Sequence, residues 1–149
     1  MAWALASACA SAPAHDVAPP VSPTVRHLAV EFCAPFGEAH RNEVGASLPA
    51  MVAPDQLDGD RLLVTADYTG GCSPHQFKIC ATEFVEADPP QIPLKVIHHT
   101  DDRCANAVRE KMSIDLAPLK RTYERMYRRA AGAVLIELPN GELLYRFAR

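Results

Sequence analysis

The sequence predicts a mainly β domain with one short helix near the C-terminus. From residue 24 onward the apolar residues recur mostly with a period of two, which is typical of half-buried strands. Thirteen prolines and seven glycines are scattered through the 149 residues, and this favours short strands and turns over long helices. A chain of this length is expected to bury one hydrophobic core and needs neither metals nor disulfides merely to fold.

Alternating apolar residues mark the individual strands. Their apolar faces comprise Leu28, Val30 and Phe32; Leu62, Val64, Ala66 and Tyr68; Phe77, Ile79 and Ala81; Ile92, Leu94, Val96 and His98; and Met112, Ile114 and Leu116. The last two strands, 133–138 and 142–147, flank Asn140-Gly141, the strongest short-range hairpin signal. Residues 37–60 are less regular, and Pro54 is taken to mark a turn there. The pattern therefore predicts about seven strands.

One helix interrupts the strands. Pro118 suits a first helical position, and apolar residues recur from Leu119 through Tyr123 and either Met126 or Tyr127 until Gly132. The opposite face of this helix is basic and carries Lys120, Arg121, Arg125, Arg128 and Arg129. Such a face is ordinarily the solvated side of a packed helix. The alternative is contact with anionic lipid headgroups.

Strands of this number and spacing predict an antiparallel β-sandwich, Ig-like in organisation, with an open barrel as the alternative. The sandwich is expected to cover residues 25–149. Residues 10–24 are rich in Ala and Pro, a composition that favours an extended tether.

The first nine residues resemble the end of a bacterial lipoprotein signal. Residues 6–8, Ala-Ser-Ala, are the small residues required before a lipidated cysteine, here Cys9. The basic and apolar segments of a secretory signal would lie upstream of Met1. We therefore expect an exported protein of the bacterial cell envelope, on the periplasmic side and lipid-anchored through Cys9. The alternative is an Ala/Pro tail with an incidental cysteine.

Two loops at strand ends each offer a cysteine and at least one histidine. In the first loop Gly70 and Gly71 permit a tight reversal, and Cys72 and His75 follow. The second loop is the box His98-His99-Thr100-Asp101-Asp102-Arg103-Cys104. On the strand alternation His98 faces inward, where a histidine is commonly a hydrogen-bonded core residue, and His99 faces the other way. Only one of the two is expected to reach a shared site.

The segment ADYTGGCSPHQF at 66–77, the box at 98–104 and IDLAPLK at 114–120 together resemble small exported bacterial lipoproteins, mostly of unknown function. The nearest named family is the NigD-like β-sandwich lipoproteins, and the likeness covers roughly residues 61–123. It implies a β-sandwich, export and a paired use of Cys72 and Cys104. It gives no catalytic residues.

Three interpretations of Cys72 and Cys104 remain open, one of which is that they stay unpaired or have other partners. In an oxidising compartment Cys72 and Cys104 would most simply form a disulfide. The alternative is a metal site, because two thiolates and two imidazoles suit tetrahedral zinc or Cu(I). Its ligands would be Cys72, His75, His98 or His99, and Cys104. For Cys33 and Cys80 the sequence leaves pairing open and places both on outer strand faces.

Charge and motifs argue against several functions. The formal net charge of -3 argues against a nucleic-acid-binding protein, and no run of about 18 apolar residues could form a membrane-spanning helix. A thiol enzyme would use Cys72 as nucleophile, His75 as base and Asp67 or Asp102 as orienter, but no recognised motif surrounds these residues. We therefore expect a non-catalytic protein without a cofactor. Its expected role is in binding or in the envelope, with an unidentified protein or small-molecule partner at the Cys72 and Cys104 loops.

Overall fold

The computed structural model describes residues 25–33 and 50–148. Within these ranges the chain forms eight strands and one helix. They are β1 (Arg26–Phe32), β2 (Met51–Asp58), β3 (Arg61–Gly70), β4 (Gln76–Ala81), β5 (Gln91–His99), β6 (Asn106–Asp115), α1 (Ala117–Tyr127), β7 (Gly132–Leu138) and β8 (Gly141–Phe147). No helix in these ranges is both long and apolar enough to cross a membrane.

The eight strands form a single sheet in the order β2-β3-β6-β1-β4-β5-β7-β8. Strand β1 runs parallel to both β4 and β6, and β5 runs parallel to β7, whereas the other neighbours are antiparallel. The two ends of the sheet nearly meet, because the Asn140 amide donates a hydrogen bond of 3.2 Å to the Val52 carbonyl.

This architecture confirms the mainly β class with one short helix near the C-terminus. In detail the sheet is mixed and nearly closed, so it lies closer to the open barrel than to the antiparallel sandwich. The difference arises because alternation identifies the residues that face the core, but it does not identify which strands pair or in which direction.

Strand β2 is the strand that the sequence does not predict. It contains Pro54, which would break the hydrogen-bond ladder of a central strand but is tolerated at the edge of a sheet or at a bulge. Both conditions hold here, since β2 pairs only with β3 in the sheet order and its register shifts between Pro54 and Gln56. The predicted turn at Pro54 is wrong, because this proline lies inside an edge strand.

The helix packs one apolar face onto the sheet. Leu119 is fully buried and Tyr123 nearly so, and full burial of a leucine contributes about 1.5–3 kcal/mol. Just before the helix, Oδ1 of Asp115 accepts the Ala117 amide at 2.9 Å, while the N-cap residue is Leu116. The helix ends at Tyr127, before the expected stop at Gly132, because Arg128 takes a left-handed conformation with φ of 55°.

The C-terminal hairpin is present, with its turn one residue earlier than expected. Leu138 pairs with Gly141, so the two turn residues are Pro139 and Asn140. Proline fixes φ near −65°, which suits the first central position of a tight turn. The predicted Asn140-Gly141 pair therefore contributes only its asparagine to the turn.

Candidate functional site

The two cysteine-containing loops meet at one end of the sheet, which we call the cluster end. Strands β3 and β5 end there, and β1, β4 and β6 begin there. The loop after β3 therefore lies beside the loop after β5. This adjacency brings Cys72 and His75 to His98, Asp102 and Cys104.

A disulfide joins the two loops. Cys72 and Cys104 are bonded, and their Cα atoms lie 6.0 Å apart, within the range that a disulfide spans. The paired use of these cysteines, expected from the resemblance, is present in the structure. Cys72 is exposed and Cys104 is half-buried, so the bond lies at the rim of the molecule.

Asp102 holds the two loops together below the disulfide. Its Oδ2 accepts the amides of Cys72 at 2.7 Å and Ser73 at 2.9 Å, and its Oδ1 accepts the amide of Cys104 at 2.9 Å. The backbone hydrogen bonds from Cys104, Ser73 and Cys72, with a side-chain contact to His75, hold the pKa of the Asp102 carboxyl well below its usual range, against the opposing effect of desolvation. Only 2% of this side chain is exposed, so an ionised carboxylate lies inside the loop junction.

Asp102 also begins a buried relay of side chains. Its Oδ2 lies 3.1 Å from Nε2 of His75, and Nδ1 of His75 lies 2.6 Å from Nε2 of His98. His98 is fully buried and the His75 side chain is only 3% exposed. The relay therefore runs from the loop junction into the core.

Two groups face Nε2 of His75. The Asp102 carboxylate can only accept a hydrogen bond, whereas the Gly71 amide, at 3.3 Å, can only donate one. The Nδ1 atom of His75 faces Nε2 of His98. Both ring nitrogens of His75 are occupied, and neither is directed at solvent.

Aromatic rings enclose the two histidines. Phe77 stacks on His98 with ring centroids 4.4 Å apart and an interplanar angle of 2°. The ring of Tyr68 lies 4.7 Å from that of His75, and its hydroxyl donates to Glu110 at 2.8 Å. Burial, reinforced by the hydrogen bond to Glu110, raises the pKa of Tyr68 to about 12.

Arg26 closes the base of the cluster. Its Nε donates to Glu110 at 2.9 Å, and its Nη1 donates to the carbonyl of His75. Its guanidinium also lies 5.1 Å from the ring centroid of Phe77. The first strand thereby fixes the loop that carries His75.

Gly70 and Gly71 shape the loop as expected, with φ of 144° and 94°. At Gly70 a second requirement applies, because a Cβ there would lie 2.3 Å from Cε1 of His75. Atoms do not approach this closely, so the imidazole needs a glycine beside it.

The ligand atoms expected for a metal do not gather as one set. Cys72, Asp102 and Cys104 place one potential ligand atom each within 4.8 Å of one another, but both sulfurs are engaged in the disulfide. The Nε2 atom of His98 faces His75. His99 follows on the next position of β5, where successive side chains point to opposite faces of the sheet.

The second disulfide lies at the opposite end of β1. Cys33 and Cys80 are bonded with their Cα atoms 5.5 Å apart, which settles the pairing that the sequence left open. The expectation of an outer face is wrong for Cys80, which is fully buried. Residues 79–81 are all buried, so both faces of β4 are covered here. Cys9 lies outside the described residues.

Sequence reasoning finds the cysteines and His75 but gives little weight to Asp102 and none to Glu110. A signal for Asp102 exists, because an aspartate two residues before Cys104 can accept that residue's amide in an Asx turn. Glu110 gives no comparable signal. It lies on β6 and reaches Tyr68 of β3 and Arg26 of β1 only after the strands pair.

Comparisons with known proteins show the fold alone. No protein-family model matches the chain, and neither does any curated protein. A crystal structure of a candidate lipoprotein from Bacteroides fragilis is similar with a TM-score of 0.52 and 10% identity, covering 82% of this chain and 70% of that one. A candidate toxin-related protein from Parabacteroides distasonis gives a TM-score of 0.42 and 13% identity, covering 80% of this chain and 59% of that one. The chain therefore shares its fold with the protein from Bacteroides fragilis.

Proposed function

We propose that this chain is an exported, non-catalytic protein of the bacterial cell envelope, lipid-anchored through Cys9 and with a binding role. The observation that carries the proposal is the presence of two disulfides, Cys33–Cys80 and Cys72–Cys104. Disulfides persist in oxidising compartments and are rare in the cytosol. The lipoprotein description of the structural neighbour from Bacteroides fragilis agrees with this location.

The cysteine inventory supports the lipid anchor. The chain has five cysteines, and four of them are engaged in the two disulfides. The fifth is Cys9, which follows the small residues of a lipidation signal. An unpaired cysteine is unusual in an exported protein, and lipidation would consume its thiol.

The geometry of the cluster supports a non-catalytic role. The Cys72 sulfur, which a thiol enzyme would need as its nucleophile, is bonded to Cys104. His75, the residue that would act as base, is buried between Asp102 and His98. The exposed part of the cluster end is the rim of two cross-linked loops. A rigid exposed rim is suited to binding, because little ordering entropy is lost when a partner docks.

The test is intact mass measurement on protein from cell fractions. A tagged chromosomal copy should fractionate with membranes, lack Trp3 and carry acyl mass on Cys9. The matched variant Cys9→Ser should leave the membrane fraction while keeping both disulfides. Wild-type protein that retains Trp3 and has no acyl mass would refute the anchor, and free thiols at the other four cysteines in cells would refute export.

Metal binding is the second candidate, favoured by the convergence of Cys72, Asp102 and Cys104. In reduced protein the two thiolates and the carboxylate would offer three ligands to zinc or Cu(I). Metal analysis of protein refolded with and without reductant distinguishes the candidates. Stoichiometric metal with free thiols would support metal binding, whereas thiol-free and metal-free protein would support the disulfide.

A further inference from the structure

The basic face of α1 lies at the end of the molecule opposite the cluster end. Arg121 and Arg125 lie on α1, Arg128 and Arg129 directly follow its end at Tyr127, and all four are exposed. Among the described residues none of these four guanidinium groups forms an ion pair with a carboxylate. Arg125 donates only to the hydroxyl of Thr122, at 3.0 Å. The positive charge of this face is therefore available to an anionic partner.

Exposed apolar side chains flank the same helix. Phe32 is 41% exposed, Val85 is 49% exposed and Met126 is 57% exposed. Phe32 ends β1 beside the helix, and Met126 lies on the helix itself. Val85 follows Phe84, whose ring lies 6.1 Å from that of Tyr127 on α1. Phe32 shares a groove with Arg121, Arg125 and Arg128, and Met126 lies on the same helix, so apolar side chains stand beside arginines on a surface that we call the helix surface.

An open groove of about 790 Å³ runs along the helix surface between α1 and the end of β1. Phe32 lines it on one side, and Arg121, Arg125 and Arg128 line it on the other. Two acids also line the groove, Glu31 and Glu124, but Glu31 is paired with Lys78 at 3.1 Å. Arginines therefore outnumber the acids in a groove that also offers apolar contact.

We propose that the helix surface docks on an anionic phospholipid bilayer, so that the protein contacts the membrane directly as well as through its anchor. Arginines beside protruding apolar side chains are the composition that binds the interface of anionic membranes, because headgroup phosphates attract the charges while apolar side chains enter the acyl boundary. A purely acidic partner would account for the arginines but not for the exposed Phe32 and Met126.

The tether is long enough for this orientation. This inference rests on the proposed envelope location. In the sequence, the segment that follows Cys9 leads into the start of β1, which lies at the cluster end. The 16 residues that follow Cys9, up to Val25, can span at most about 55 Å. Strand β1 has seven residues and is about 23 Å long. A lipid on Cys9 and the helix surface can therefore reach the same bilayer.

Vesicle co-sedimentation of the full chain carrying Cys9→Ser tests the surface without the acyl chain. We expect binding to vesicles that contain phosphatidylglycerol, weakening with salt, and no binding to pure phosphatidylcholine. Arg121→Gln/Arg125→Gln should reduce the partition coefficient roughly 30-fold. The matched control Arg103→Gln/Lys111→Gln makes the same change in net charge at two exposed residues away from α1, and it should leave binding unchanged.

A fluorescence measurement tests the apolar contact. Met126→Trp in a Trp3→Phe background should give blue-shifted emission with phosphatidylglycerol vesicles. The proposal is overturned if this shift is absent, if the control variant loses as much binding as the α1 variant, or if a soluble polyglutamate peptide binds the same surface more tightly than the vesicles. Since acylation is absent from these assays, a failed anchor and a failed helix surface give separate results.

Discussion

Removing the Cys72–Cys104 disulfide should destabilise the protein by an amount set by the loop that it closes. The two residues are separated by 32 positions. For such a loop the chain-entropy relation gives about 12.5 cal/mol/K, or about 3.7 kcal/mol at 25 °C. We therefore expect Cys72→Ala/Cys104→Ala to lower the free energy of unfolding by about 3.7 kcal/mol.

The native structure around this disulfide should tolerate the change. Cys72 is exposed and Cys104 half-buried, so alanine leaves little cavity. Asp102 binds both residues through their backbone amides, and alanine keeps these donors. The loss should therefore reflect the unfolded chain, which gains freedom, more than the folded one.

Guanidinium unfolding followed by circular dichroism measures this loss. The matched variant is Cys33→Ala/Cys80→Ala, whose residues are 47 positions apart, which gives about 4.1 kcal/mol from the same relation. Because Cys80 is fully buried, this variant should lose further stability through the cavity that it leaves. A loss below about 1 kcal/mol for the Cys72/Cys104 variant, or a larger loss there than in the matched variant, would refute the reasoning.

Three further predictions concern the side chains beneath the disulfide. Gly70→Ala should lower the free energy of unfolding by about 3–5 kcal/mol, because it combines a positive φ with a Cβ that meets the His75 ring. The control Gly59→Ala, with φ of 56° and open space around the new Cβ, should lower it by only about 1–2 kcal/mol. Equal losses for the two variants in chemical denaturation would contradict the clash. Asp102 has a lowered pKa in the folded protein, so its contribution is present above its unfolded pKa of about 3.9 and is lost as pH falls through the lower folded value. Asp102→Asn should therefore destabilise the protein at neutral pH and reduce the loss of unfolding free energy that accompanies acidification below about pH 4. If the variant loses stability with falling pH as the wild type does, the proposed contribution of Asp102 is wrong. The hydroxyl of Tyr68 should titrate with a pKa of about 12 in NMR spectra. Glu110→Gln should lower this pKa because it removes a neighbouring negative charge. An unchanged titration midpoint would show that burial alone raises the pKa.

Local sequence patterns predict most elements of this fold. The alternation of Leu62, Val64 and Ala66 places these residues on one face of β3, and all three are buried. The helix is also predicted, since Leu119 and Tyr123 form its buried face. These predictions succeed because they depend only on the direction in which neighbouring side chains point.

Pairing and ends depend on contacts that local patterns do not contain. Nothing in the alternation indicates that β1 inserts between β4 and β6 in a parallel direction. Strand β2 is missed because Pro54 argues against a strand, and a proline is tolerated there only because β2 lies at the edge of the sheet. The helix stops at Tyr127 because Arg128 turns the chain toward β7, a requirement of the sheet and not of the helical pattern.

The candidate site divides in the same way. The sequence identifies Cys72, His75 and Cys104 as candidate site residues, because cysteine and histidine have few common roles in proteins. Asp102 and Glu110 are ordinary acids in a chain with 18 of them, and their roles emerge only when backbone amides and an arginine surround them. Sequence therefore indicates where the cluster lies, and the structure is needed to show that a carboxylate holds it together.

The topology explains why both cross-links are placed as they are. Arg26 of β1 pairs with Met112 of β6, and Val30 pairs with Ile79 of β4, so the strand pairings of β1 join residues that are distant along the chain. Such contacts carry a large loop-closure entropy. Cys33–Cys80 covalently fixes β1 to β4 at one end, and Cys72–Cys104 fixes the loops at the other. Both ends of the most non-local part of the sheet are thereby closed, which favours a protein that folds where disulfides can form.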